Sequence, residues 1–224
     1  MTTPLWKKVL WEQLQKNIQK QGLSSCFMTL CLATPSARTV VFRSFAGEDH
    51  ADELGWTSNC LVVTSDKRSN KFKELQNNRD YEVCWFMHGT GEQYRLKGTV
   101  FIYPQDEASS LPPVYRRLSS SEQQDIKSLG SKVFLNKQQG QDTFDWEAER
   151  RRHFANLDGW LRATFSPKKI STLDITGLDD SGEWFISPNQ QDLNDAYENF
   201  CLIILTVKQM DYVSLSGERK LYTD

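Results

Sequence analysis

Cations and hydroxyls gather at the ends of apolar runs in three stretches of this chain: Arg38-Thr39-Val40-Val41-Phe42-Arg43, Thr64-Ser65-Asp66-Lys67-Arg68-Ser69-Asn70-Lys71, and Gln93-Tyr94-Arg95. Residues of these types at strand ends suit an anion site. Lys71 lies close behind a predicted helix start, where a phosphate could use free backbone amides together with the ammonium group. Thr64, Ser65 and Ser69 add hydroxyl donors, although an Arg-Ser-Asn-Lys turn taken alone is also ordinary surface. Arg38 and Arg43 are an odd number of positions apart, so a regular strand would send them to opposite faces. They share a groove only if one lies at a strand end or across a subunit boundary, and the alternative is two solvated charges framing a core strand. Gln93 and Arg95 share a strand face. A glutamine amide both donates and accepts, which suits the edge of a flavin or similar heterocycle; a half-exposed strand position is the plainer alternative.

Composition excludes several classes. The 27 basic and 29 acidic residues give a net charge of −2, so no global field draws the chain to nucleic acid or an anionic membrane, and any basic site is local. Cys26, Cys31, Cys60, Cys84 and Cys201 are odd in number, lie beside apolar residues and form no CxxC pair. They read as small buried hydrophobes in a reducing compartment, not as a disulfide framework or zinc cage. No apolar run reaches the ~18 residues of a membrane span, and Trp6, Lys7, Lys8, Glu12 and Gln13 stand where a secretory apolar block would. The expected location is cytoplasmic, with the nucleus also open. There is no GxGxxG or Walker loop, no nucleophile elbow, and no metal spacing among His88, His153 and Asp49 or His50.

The elements that must position these residues can be read from periodicity. Trp6, Val9, Leu10, Leu14 and Ile18 recur at three- and four-residue steps, predicting an amphipathic helix that ends near Gly22. Residues 27–33 and 39–45 read as adjacent antiparallel strands, 60–64 as the next, and 68–75 as a short helix capped by Asp66 or Ser65. Strands at 81–87 and 93–103 flank His88-Gly89-Thr90-Gly91, whose glycines permit a tight turn. At least five strands with short connections favour an antiparallel barrel. We read one domain over 1–224, mainly β with flanking helices (α+β). Its barrel core lies at about 24–103, with a helical insertion at about 112–157. In that insertion Ser121 caps one helix and residues 147–157 form another. The expected late strands at 160–165, 182–186, 201–207 and 212–215 complete the sheet within 160–215.

At this point the residues resemble a known family. The segments 37–43, 63–71 and 92–98, in that order, look like the flavin-binding core of the pyridoxamine 5'-phosphate oxidase-like split-barrel family. Leu161 to Pro167 and Glu218-Arg219-Lys220-Leu221-Tyr222 match more loosely. The resemblance implies an FMN-binding split β-barrel that holds flavin mononucleotide at a homodimer interface. It assigns Arg38, Thr39, Val40, Val41 and Arg43 to the flavin strand. Val63 and Thr64 would pass beside the flavin, Ser69 and Lys71 would form the phosphate turn, and Gln93 would sit at the isoalloxazine edge. Two departures stand out. Asn70 replaces the usual arginine, for which Arg68 could compensate, and the C-terminal segment lacks the family's histidine. The resemblance therefore implies FMN as cofactor and leaves the substrate open, with Arg162 and Arg219 as candidate ligands for a small phosphorylated substrate. Turnover of pyridoxamine phosphate is expected to be weak or absent. A different small substrate, or a non-enzymatic dimeric barrel, are the alternatives; neither nucleic acid nor membrane is an expected partner.

Overall fold

A computed structural model describes residues 3–33, 35–49, 55–117, 143–173 and 190–223. Helix α1 (Leu5–Gln21) turns Trp6, Leu10 and Leu14 inward, and all three join the main apolar cluster. Burial of each such side chain stabilises by roughly 1.5–3 kcal/mol. The helix stops at Gly22, whose φ of 68° lies where a side chain is strained.

Strands β1 (Phe27–Leu32) and β2 (Ser36–Phe45) form a hairpin in the register Phe27↔Val41. The two-residue strand β3 (Trp56–Thr57) lies apart from the barrel, and β4 (Cys60–Asp66) leads into helix α2 (Asn70–Asn77). Next come β5 (Asp80–Met87) and β6 (Glu92–Tyr103), then β7 (Tyr115–Arg116), which pairs with β3. Helices α3 (Trp146–Ala155), α4 (Gly159–Thr164) and α5 (Gln190–Asn199) precede the long β8 (Phe200–Ser214) and the short β9 (Arg219–Thr223). The order β4-β2-β1-β5-β6-β8 is closed by a β4–β8 pairing into a six-stranded barrel. Every pairing is antiparallel, and β9 extends the sheet beyond the C-terminal half of β8. Closure leaves few unpaired backbone groups along the barrel.

Phe200 to Leu205 are all buried, which alternation alone would not give. Alternate residues of this segment belong to two clusters. Cys201, Ile203 and Leu205 face the barrel interior, while Phe200, Leu202 and Ile204 pack with Trp146, Phe154, Phe165, Leu193 and Tyr197 in the helical layer. The late sequence differs from expectation at 160–165. Asp158 caps a helix there by accepting from the Leu161 N–H at 2.7 Å, which decides against a strand despite the aromatic residues. The expected strands at 201–207 and 212–215 are one strand. At α2, Ser69 occupies the cap position, and Asp66 instead accepts from the backbone and guanidinium of Arg68. The expected helix behind Ser121 and the strand at 182–186 lie outside the described residues. Burial pushes the Cys60 and Cys201 thiols up to about 12, as inert core cysteines require.

A buried ionic network fixes the segment after β2. Lys7 donates to Glu48 and to the Ser58 carbonyl, and Glu48 also accepts from Thr57 at 2.7 Å and pairs with Arg117 at 3.3 Å. Glu149 on α3 accepts from the Gly47 N–H at 3.0 Å and from both edges of Arg152 at 2.9 Å. Arg152 reaches on to Asp49 at 2.7 Å. Although burial alone would raise the Glu149 carboxyl, hydrogen bonds from His153 and Arg152 outweigh it and hold it at about 2.

Candidate functional site

Strand parity sorts the candidate residues. Val40 and Val63 are 6% and 1% exposed and belong to the barrel core, so their side chains cannot line a ligand site. Only their backbone could face one. Thr39 and Val41 lie on the opposite, outer face of β2, opposite Thr29 and Phe27 of β1. Arg43 sits at a register shift between Phe42 and Ser44. A bulge at this point bends the strand and re-aims the side chain it carries. Its guanidinium donates to the Thr64 hydroxyl at 3.2 Å.

Ser65, the residue after Thr64, accepts from the Lys71 ammonium at 3.1 Å, and its hydroxyl lies 3.5 Å from that of Ser69. Lys71 is in the first turn of α2, where the unpaired amides of a helix start add to its charge. Burial lowers the pKa of both Arg43 and Lys71. Neither forms an ion pair with a described residue. Each half-buried cation has a hydroxyl partner, but Thr64 and Ser65 are successive residues of β4, so their side chains leave opposite faces of the strand and the two cations are held on different sides of it.

Three expected residues are placed otherwise. Arg38 donates to both oxygens of Glu74, at 3.0 and 3.2 Å, and to Ser36. Its charge is therefore already answered by α2. Arg68 grips Asp66 and donates to the carbonyls of Thr164 and Ser166, both at 3.0 Å, so it staples α4 to the turn before α2. Arg162 is 1% exposed and donates to the carbonyls of Phe154 and Ala155. It satisfies the C-terminal carbonyls of α3, and this burial corrects its reading as a substrate ligand.

Gln93 lies on the outer face of β6, opposite Phe86 of β5 and Val213 of β8. From β2 it is three inter-strand spacings away, roughly 14 Å. This outer face, over β2, β1, β5 and β6, carries Phe27 at 51% and Phe86 at 37% exposure. The helical layer packs elsewhere, against β4 and β8 residues such as Val62, Leu202 and Ile204. Gln93 and Arg43 are thus well separated within one copy. Farther along the same face Arg95 donates to Asp211 at 2.6 Å, and Asp211 also takes a two-point contact from Arg219 at 2.9 and 3.0 Å. Sequence reasoning named Arg219 but not Asp211, because only the β8 register brings the two together. Ser65, by contrast, stood within the hydroxyl-rich stretch already singled out. No group of three or more metal-ligating side chains occurs among the described residues, and no described helix is long and apolar enough to cross a membrane.

Residues 3–104 match the family model described as "Pyridoxamine 5'-phosphate oxidase, FMN-binding domain". The match covers a little under half of the chain. The matched stretch contains β1 to β6 and every candidate residue except Arg162 and Arg219. Among curated proteins, the chain is 33% identical over 99 residues to the pyridoxine/pyridoxamine 5'-phosphate oxidase 2 of Arabidopsis thaliana. That match covers 43% of this chain and 46% of the plant protein, so the chain spans about half the length of its curated relative. Among solved structures, a pyridoxamine 5'-phosphate oxidase-related, FMN-binding protein of Nostoc punctiforme PCC 73102 superposes with a TM-score of 0.59. The identity is 22%, over 100% of this chain and 93% of the other. This second likeness is one of fold, and it extends the split-barrel description from the matched domain to the whole chain.

Proposed function

We propose that the chain binds flavin mononucleotide across a homodimer and serves a flavin-dependent oxidation or reduction of a small molecule. The observation that carries this reading is Lys71 in the first turn of α2, half-buried, donating to Ser65 and with Ser69 beside that hydroxyl. It lies within a stretch whose family model is an FMN-binding domain. Lys71, Ser69 and Ser65 would take the phosphate together with the first amides of α2, and Arg43 would add a second charge from the other side of β4. Thr39 and Val41 would flank the ring on the outer face. Gln93 would donate to and accept from the ring edge with its amide. Bound flavin supplies hydride acceptance and re-oxidation by oxygen.

The spacing of Gln93 from β2 supports a second copy: the ring-edge amide and Arg43 would meet when the uncovered faces of two barrels pack together. Burial of Phe27, Phe86 and Val41 there would exclude water from the ring. The substrate stays unassigned in this proposal, because Arg162 is committed to the α3 carbonyls and the segment Glu218 to Tyr222 carries no histidine.

Flavin-fluorescence titration tests the site. Lys71→Ala and Arg43→Ala are each expected to weaken FMN binding roughly 10- to 100-fold, the scale of one lost charge-assisted hydrogen bond. Light scattering of the saturated protein is expected to give twice the 25.9 kDa chain mass. Unchanged affinity across folded Lys71→Ala, Arg43→Ala and Gln93→Ala variants would remove the site, and a monomer with full affinity would remove the dimer.

A further inference from the structure

Given the phosphate site proposed at Lys71, on which this rests, we infer that Arg68 masks the Asp66 carboxylate and thereby makes the site selective for a phosphorylated flavin over an uncharged one. Asp66 is the last residue of β4, next to Ser65, and its carbonyl accepts from the Ser69 N–H at 3.1 Å. A carboxylate is thus built into the same turn that joins Ser65 to Ser69, whose hydroxyls lie 3.5 Å apart beside Lys71. Burial lowers the Lys71 pKa, and the Asp66 charge acts on it in the opposite direction. Left bare, this carboxylate would repel a phosphate and compete with it for the ammonium.

Arg68 prevents this. Its Nε donates to both Asp66 oxygens, at 3.0 and 3.1 Å, its Nη2 to Oδ2 at 2.6 Å, and its backbone N–H to Oδ1 at 2.7 Å. A two-point fork of this kind is the geometry in which guanidinium neutralises a carboxylate best. The same guanidinium is held from behind, because Nη1 donates to the Ser166 carbonyl and Nη2 to the Thr164 carbonyl. Carbonyls at the end of a helix favour a cation. Arg68 therefore stays on Asp66 and has little of its fork left for a ligand. The junction also has supports of its own: Asn199 donates to the Phe165 carbonyl at 2.9 Å, and its carbonyl accepts from the Lys67 N–H at 2.9 Å. The Arg68 side chain is 43% exposed, so a shorter residue leaves no closed cavity. Arg68 is a positioning residue, acting on the phosphate through Asp66 without touching it.

The test compares FMN with riboflavin, which lacks the phosphate, by fluorescence titration of the full chain at constant ionic strength. Wild type is expected to prefer FMN. Arg68→Gln is expected to raise the FMN dissociation constant about tenfold, the scale of repulsion between one carboxylate and a phosphate of about two charges a few ångströms away, and to leave that of riboflavin in place. Asp66→Asn keeps Oδ1 for the Arg68 N–H and frees the guanidinium charge, so it is expected to tighten FMN about threefold. The double variant Asp66→Asn, Arg68→Gln is expected to regain the wild-type preference, because an amide needs no mask. A merely structural role would weaken both flavins together in every variant. In a wild type that prefers FMN, an unchanged FMN-to-riboflavin ratio in Arg68→Gln, weaker FMN binding by Asp66→Asn, or a double variant no better than Arg68→Gln would overturn the mask and leave the phosphate site standing. A wild type that binds the two flavins equally would overturn the phosphate site, and the mask with it.

Discussion

Replacing Gly98 by alanine is expected to destabilise the barrel by about 3 kcal/mol or more, at or above the upper end of ordinary overpacking. A Cβ at this position would stand 1.7 Å from the Thr206 carbonyl oxygen and 2.8 Å from its carbon. Both are backbone atoms, so no side-chain rotation relieves the contact. The close approach occurs at the β6–β8 register shift, where Lys97 faces Gln209 and Gly98 faces Val207. The missing side chain at 98 lets β8 accommodate the extra residue and bend from its barrel half toward its β9 half. Urea unfolding of Gly98→Ala should give a lower midpoint than wild type. An unchanged midpoint would mean that the two strands can separate locally at no cost.

The second large effect is expected in acid. The Glu149 carboxyl lies at about 2 in the folded chain against 4.5 for the free group. Its folded value is depressed, so its contribution is complete above about pH 4.5 and is lost as the pH falls through about 2. The size is about 3 kcal/mol from the linkage relation. Burial also lowers the pKa of His153. The unfolded chain therefore takes up a proton near pH 6.5 that the folded chain refuses, and this adds to the loss in the same direction. Stability should decline from about pH 6.5 downward. In Glu149→Gln the decline between pH 4.5 and 2 should flatten, while stability at pH 7 drops because Arg152 and the Gly47 N–H lose their anionic acceptor. Thermal melts from pH 2 to 7 would show this, and parallel curves for wild type and variant would place the acid sensitivity elsewhere.

Much of the barrel was legible because its signals are local. Trp6, Leu10 and Leu14 repeat at a helical period, and β5 and β6 alternate buried and exposed residues along their length. The clustering of Ser65, Ser69 and Lys71 before and at the start of α2 was legible too, since they lie within seven consecutive residues. The failures share a cause: their physics is long-range. Trp160 to Phe165 resembles a strand by residue type, yet the Asp158 cap and the α3 carbonyls waiting for Arg162 favour a helix. A lone arginine in sequence does not show whether a phosphate or a carbonyl awaits it. Arg38 was read as a flavin-strand residue or a solvated charge, and its partner Glu74, 36 positions away, was not foreseen. Gly47 and Glu149 are 102 positions apart, and Arg95 and Asp211 are separated by 116. Neither pair has a signature that periodicity can detect.

The strand that closes the barrel, β8, is made long after the strands it must join. Five of the six barrel strands lie within residues 27–103, and β8 starts at residue 200. A ribosome adding 5–20 residues per second takes about 5 to 20 s to cross that gap. During this interval β4 and β6 present bare edges to the cell, together with the apolar surface that Ile203 and Leu205 will later cover. Exposed edges of this kind pair with other chains. The protein's yield in a living cell should therefore depend on what guards the nascent chain before β8 emerges, and a chain cut after β6 should aggregate even though it retains nearly the whole matched domain.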